Sequence, residues 1–162
     1  MSPLELAWAA GLFEGEGSVR INKPGLRNWG TMVASVVNTD FQIVRFFQDR
    51  WPGYCRLATG LRPEQNPALV WLVAARQAAA FLEAIQPYVL SSRVQNKISV
   101  ALEFQAQKRN SKHLRSDERE AYHEAQWNAY WWMGQLNSRG AQRRDLQADE
   151  SAGEWAAVCP TE

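Results

Sequence analysis

The stretch "LAWAAGLFEGEGSVRI", residues Leu6 to Ile21, joins an apolar helical run to an alternating one and sets two glutamates, Glu14 and Glu16, among glycines at the join. Upstream, Ser2-Pro3-Leu4-Glu5 is a helix start, with Ser as the cap, Pro in the first turn, and Glu three residues after the cap to close a capping box. The pattern predicts a helix from Pro3 to about Glu14 that stops at Gly15 and Gly17. Downstream, "SVRIN" alternates, with Val19 and Ile21 on one face and Ser18, Arg20 and Asn22 on the other, as a half-buried strand does. Ala7, Gly11 and Gly15 recur every four residues and share one side of the helix. Spacing alone leaves two readings of that stripe open: packing against the chain's own core, or close approach of a second backbone.

The carboxylates raise a separate question. A helix C-terminus carries negative partial charge, so an acid there is misplaced by up to about 1 kcal/mol. Such an acid either stays in water or acquires a cation. Hard oxygen donors flanked by glycines suit Mg2+ as well as they suit a surface turn.

Working outward, "KPGLRNWG" is a turn and "TMVASVVN" a second strand, so residues 18–38 form a hairpin with a long basic loop. "TDFQIVRFFQDRW" is a helix capped at Thr39 or Asp40 and ended by Pro52-Gly53. "YCRLATG" and "ALVWLVAA" form a second hairpin. "RQAAAFLEAIQPY" is a helix stopped by Pro87, and "SRVQNKISVALEFQAQKR" is another, with Val94, Ile98, Ala101 and Leu102 inward. A basic stretch, Lys108 to Arg115, precedes a last helix from Ser116 to about Ser138. Helix plus hairpin thus occurs twice, which suggests a pseudo-symmetric fold. Three segments follow: a core over 1–109, a basic linker and C-terminal helix packed on it over 110–140, and a disordered acidic tail over 141–162.

A chain of 162 residues is one domain's worth. It has no apolar run long enough to span a bilayer, its first residues lack the charged and apolar regions of a secretory signal, so none is expected, and two cysteines, Cys55 and Cys159, make no framework. The expectation is a protein with reduced thiols in the cytoplasm, nucleoid or an organelle matrix, without membrane or small-molecule partners. Net charge is only +1, but all eighteen Lys and Arg precede residue 145 with twelve of the seventeen acids, so residues 1–144 carry +6 and the last eighteen −5. Residues 18–62 hold seven basic and two acidic residues, a pattern that suits a polyanion.

Ala9-Ala10-Gly11-Leu12-Phe13-Glu14-Gly15-Glu16-Gly17 resembles the LAGLIDADG motif, with Ala9 and Phe13 departing at apolar positions and Glu replacing Asp at both acidic ones. "GSVRI", "VVNTDFQIVRFFQDRWPG", "ALVWLV", "AFLEAIQPYV" and "ALEF" are similar to that family's strands and helices in order, over roughly residues 3–140. The resemblance is to the single-motif, homodimeric type of homing endonuclease. It implies an α+β fold with an αββαββα core, a curved antiparallel sheet over the DNA major groove, and extra C-terminal helices. The motif helices of two copies would pack through Ala7, Ala10, Gly11, Glu14 and Gly15, which would make the small-residue stripe a dimer interface.

By the same resemblance Glu16 is the catalytic metal ligand, with the Gly15 carbonyl as helper, and Glu14 is structural at the helix end. Mg2+ is the implied cofactor, with Mn2+ able to substitute and Ca2+ supporting binding only. Asn38 and Gln42 match polar positions around the metal. The family's lysine falls at Val94, with Arg93 and Lys97 either side as candidates for the missing charge. Double-stranded DNA would be read by Arg20, Asn22, Lys23, Arg27, Asn28, Trp29, Thr31 and Ser35 of the first hairpin and by Arg56, Thr59 and Arg62 of the second. Arg, Lys and Asn bond guanine and adenine edges bidentately, although any one of these residues alone could equally be solvated strand surface. Lys108, Arg109, Lys112 and Arg115 either hold flanking phosphates or form a soluble linker. Trp127, Tyr130, Trp131 and Trp132 are read as packing of the last helix, and His113 and His123 as surface residues. The function implied is site-specific cutting of both strands of a long near-palindromic site. The alternative is a non-cleaving nucleic-acid binder, an intron maturase or a DNA-binding regulator.

Overall fold

A computed structural model of the chain describes residues 1–25, 29–59, 66–108 and 114–138. The order is α1 (Pro3–Glu16), β1 (Gly17–Ile21), β2 (Met32–Asn38), α2 (Phe41–Arg50), β3 (Tyr54–Leu57), β4 (Leu69–Ala74), α3 (Ala75–Ile85), α4 (Ser92–Ala106) and α5 (Ser116–Asn137), with a single 3-10 turn at Gln86–Tyr88. The acidic tail, His113, Arg109 and Lys112 lie outside the described residues.

All four strands form one antiparallel sheet in the order β1-β2-β4-β3. Each hairpin closes on itself, and the two meet at the centre through β2 and β4, so the repeated helix-plus-hairpin order is a spatial repeat as well. Register fixes the faces. Val19 pairs with Ala34 and Ile21 with Met32, and Ala34 pairs with Val73 and Val36 with Trp71. This face is buried under the helices. Ser18 with Ser35, Arg20 with Val33, and Tyr54 with Leu72 occupy the other face.

The core sits between the sheet and α1, α2 and α3. Phe13, Phe47, Trp71 and Phe81 are buried together, with ring centroids 5.1 Å apart for Phe13–Phe81, 5.3 Å for Phe47–Trp71 and 4.9 Å for Trp71–Phe81. Such aromatic pairs add about 0.5–1.5 kcal/mol each beyond the area they bury.

Capping at the start of α1 follows the sequence. The Ser2 hydroxyl accepts from the Glu5 amide, and the Glu5 carboxylate accepts from the Ser2 amide at 2.8 Å. Arg50 of α2 closes on the same carboxylate through Nη2 at 2.7 Å and Nε at 3.1 Å. The Ser2 amide first, and then the Arg50 guanidinium, hold the Glu5 carboxyl down to about 2 from its ordinary 4.5. A carboxyl lowered in the folded state stabilises above its unfolded pKa and ceases to do so as pH falls through the folded one. The melting temperatures of the native protein and Glu5→Gln should therefore differ at neutral pH, and the gap should shrink steadily from pH 4.5 downward and vanish only below pH 2. A gap undiminished at pH 2 would contradict this.

Candidate functional site

Gly11, Gly15 and Gly17 do different things. A Cβ at Gly17 would run into the Phe13 carbonyl and ring, so this glycine is required where the chain turns from α1 into β1. At Gly11 and Gly15 a Cβ would meet nothing within 4 Å. Each of these two glycines costs the helix about 1 kcal/mol relative to Ala, and nothing among the described residues calls for it. Around them the outer face of α1 is apolar and open: Ala7 is exposed, Leu4 is 81% exposed and Trp8 44%. The inner face, Ala9, Ala10 and Phe13, is buried. Ala10 thus belongs to the chain's own core and not to the stripe, because it sits a full helical step of rotation from Gly11.

The two glutamates also part company. Glu14 accepts from the Leu90 amide at 2.9 Å and from the Ser91 amide. Ser91 is the cap of α4, so this carboxylate neutralises the positive end of another helix. Glu14 is thereby engaged within its own chain. Removing it strands two amides, and Glu14→Ala should lose about 1–2 kcal/mol of stability, read as a lower urea midpoint. Glu16→Ala should leave the midpoint where it was; equal losses would refute the division of roles.

Glu16 is exposed at the last residue of α1 and has no hydrogen-bond or ion-pair partner among the described residues. It is a carboxylate at a negative helix end with nothing among the described residues compensating it. Asn38 ends β2, half-buried, and its Oδ1 accepts from the Asp40 amide at 2.8 Å. Asp40 in turn caps α2 by accepting from the Gln42 amide at 2.9 Å, which leaves the Gln42 side chain exposed.

Arg93 is committed elsewhere. Its guanidinium donates to the Leu136 carbonyl through Nη2 at 3.0 Å and Nε at 3.3 Å, and to the Ser138 carbonyl at 3.3 Å. It caps the C-terminus of α5. Lys97, one turn further along α4, is half-buried with no such partner, and burial together with the Arg93 charge holds it below its ordinary range. Val94, where the resemblance puts a lysine, is half-buried against the core.

On the outward face of the sheet Arg20 and Asn22 are exposed, as are Arg56 and Thr59, whose side chains approach to 3.4 Å; Lys23 is exposed too, but its ammonium lies over the Trp127 ring of α5. Ser35 faces that way but is only 5% exposed, since β2 is a central strand flanked on both sides. Trp29 turns away from this face: its ring lies 4.9 Å from Tyr122 and 5.9 Å from His123 on α5. Thr31 is half-buried; Arg27, Asn28 and Arg62 lie outside the described residues. His123 is half-buried rather than a surface residue, and its Nε2 accepts from the Trp127 indole at 3.2 Å. Trp127 and Tyr130 pack inward with it, while Trp131 and Trp132 stay 55% and 57% exposed.

No protein-family model matches the chain, and no curated protein sequence does. Solved structures match well. The homing endonuclease I-CvuI, in complex with its target in the presence of 2 mM Ca, has a TM-score of 0.65 at 15% identity, over 92% of this chain and 95% of its own. The archaeal intron-encoded homing endonuclease I-Vdi141I, complexed with DNA, has 0.64 at 14%, over 85% and 86%. The LAGLIDADG homing endonuclease I-GzeII, in complex with a DNA target, has 0.59 at 13%, over 97% of this chain and 50% of its own.

Proposed function

We propose, from its LAGLIDADG homing-endonuclease fold, that the chain is one half of a homodimeric DNA endonuclease that cuts both strands of a long near-palindromic site. The observation that carries this reading is the outer face of α1. Open glycines and exposed apolar side chains end there in an uncompensated Glu16, which is what a two-fold helix pair with a shared acidic centre requires. That face leaves room for a second α1, and an apolar helix face in water favours one.

With two copies paired, Glu16 meets its own mate near the scissile phosphates. Among the described residues no three His, Cys, Asp or Glu side chains gather to hold a metal within one chain. The Glu16 carboxylate and Gly15 carbonyl are hard oxygen donors that fit Mg2+ or Mn2+ once a second copy and phosphate oxygens add theirs. A bound divalent ion would screen the carboxylates and stabilise charge on the phosphodiester oxygens. Ca2+ would support binding alone.

The chain's own groups then have distinct tasks. Asn38, pinned by its bond to the Asp40 amide, and Gln42 orient polar partners of the reacting phosphate. Lys97 is the cation available to it, since Arg93 is held by α5. Arg20, Asn22, Arg56 and Thr59 line the reading face, with Ser35 and Val33 as a nearly dry strip at the middle of the sheet. No helix among the described residues is long and apolar enough to cross a membrane.

With Arg93 withdrawn and Val94 half-buried, Lys97 is the one cation left at this stretch of α4 among the described residues. That favours a second reading, a binder that no longer cuts. A plasmid library incubated with Mg2+, with an EDTA control, separates them. Sequence-specific double-strand cuts in Mg2+ alone support the endonuclease; sequence-selective retention without cutting supports the binder.

A further inference from the structure

β1 is an edge strand, and its ladder to β2 ends at Ile21 opposite Met32, with one further bond from the Asn22 amide to the Thr31 carbonyl at 2.9 Å. Beyond that the hairpin legs leave the sheet, and a two-stranded ribbon is marginal alone in water. Helix α5 meets it at both ends. At the root, the Asn137 side-chain amide donates to the Val19 carbonyl at 2.8 Å, on the open edge of β1. At the tip, Lys108 Nζ donates to the Trp29 carbonyl at 3.3 Å, to the Gly30 carbonyl, and to Gln126 Oε1 of α5 at 2.8 Å. Three donors meet three acceptors, so the ammonium has nothing left for a phosphate.

The surroundings agree. Lys108 lies 4.4 Å over the Phe104 ring, Gln126 is fully buried, and burial brings the amine down to about 8. Trp29 packs on Tyr122 and His123, and Lys23 lies 5.4 Å over the Trp127 ring. A Cβ at Gly30 would come within 2.7 Å of the Asn22 carbonyl, so the two legs close tightly under this clamp.

We infer that α5 splints the first hairpin, and that Lys108, Gln126 and Asn137 are positioning residues that hold residues 22–25 and 29–31 in a fixed course without touching DNA. This rests on the DNA-reading role proposed above for that hairpin. Ordering a loop on binding opposes affinity, and a loop ordered beforehand avoids that cost at the cognate site. Random DNA, held by charge alone, gains nothing from it.

The test compares the native protein with Lys108→Met. Amide hydrogen exchange reads the hairpin directly. Binding is measured on a duplex enriched by the native protein from a random-sequence pool and on the unselected pool, each over a salt series. The splint predicts that the Asn22 amide, bonded to the Thr31 carbonyl, exchanges faster by roughly tenfold or more, with Met32–Asn38 unchanged. It also predicts that preference for the enriched duplex shrinks roughly tenfold, with the salt slope and pool affinity kept. A slope lower by about one would make Lys108 a phosphate contact and overturn the inference. So would unchanged exchange. If Lys108→Met does not fold, Gln126→Met and the exposed Asn137→Ala carry the same expectations for exchange and for preference, and unchanged exchange in both overturns the inference. If the native protein enriches no sequence, the DNA reading fails, while the exchange result still decides whether α5 holds the hairpin.

Discussion

Glu16→Gln is expected to abolish DNA cleavage while leaving the fold and DNA binding in place. Glutamine keeps the size and removes the charge, and Glu16 bonds to nothing among the described residues, so the chain loses no internal contact. What goes is a donor for a divalent ion, on both copies at once. A loss of about 4 kcal/mol of transition-state stabilisation corresponds to roughly a thousandfold in rate. Binding should tighten slightly, because a carboxylate near phosphate repels it. Paired assays on one duplex, cutting in Mg2+ and affinity in Ca2+, separate the two effects. Cutting at near the native rate would remove Glu16 from the catalytic role.

Gly11→Val should break the dimer without harming the subunit. Within the chain a Cβ at Gly11 meets nothing within 4 Å, and valine is a somewhat better helix former than glycine. The subunit's urea midpoint should hold or rise. Across a close helix pair the added branch overpacks, at about 1–3 kcal/mol per copy, so dimer dissociation rises tenfold or more. Cutting should fall with it, since each half-site then lacks the opposite carboxylate. Sedimentation of the native protein as a monomer at all concentrations would sink both the interface and the shared centre. The same variant losing stability as a monomer would mean that the stripe packs internally.

Much of this architecture was legible in the sequence because it is set locally. Ser2, Pro3 and Glu5 form the capping box they spell, and α2 begins at Asp40, one of the two caps expected. The alternation of Val19 and Ile21 against Ser18 and Arg20 gives the correct faces of the first hairpin. Helix α1 overran its expected stop and continued through Gly15 to Glu16, since a glycine lowers helix propensity without ending a packed helix.

The site was less legible because its division of labour depends on distant contacts. Whether Glu14 or Glu16 is the spare carboxylate turns on the Leu90 and Ser91 amides, more than seventy residues away. Arg93 looked like a free cation until the end of α5 came to rest on it. Ser35 was assigned to the right face but not to its burial, which comes from the order of strands and not from its neighbours in sequence. Gln126 and Asn137 carried no local signal at all.

The splint is one-sided. Helix α5 lies along α4 and β1, at the opposite edge of the sheet from β3. On the proposed DNA-reading role, substitutions in the first hairpin must satisfy two clients, the ligand and the helix behind it. At the exposed β3 residues Tyr54 and Arg56, on the outward face, only the ligand has a say. A lineage following a drifting target would change fastest at β3 and most slowly around Trp29 and Gly30. Natural variation should thus concentrate in one half of the reading surface, and directed retargeting should begin there.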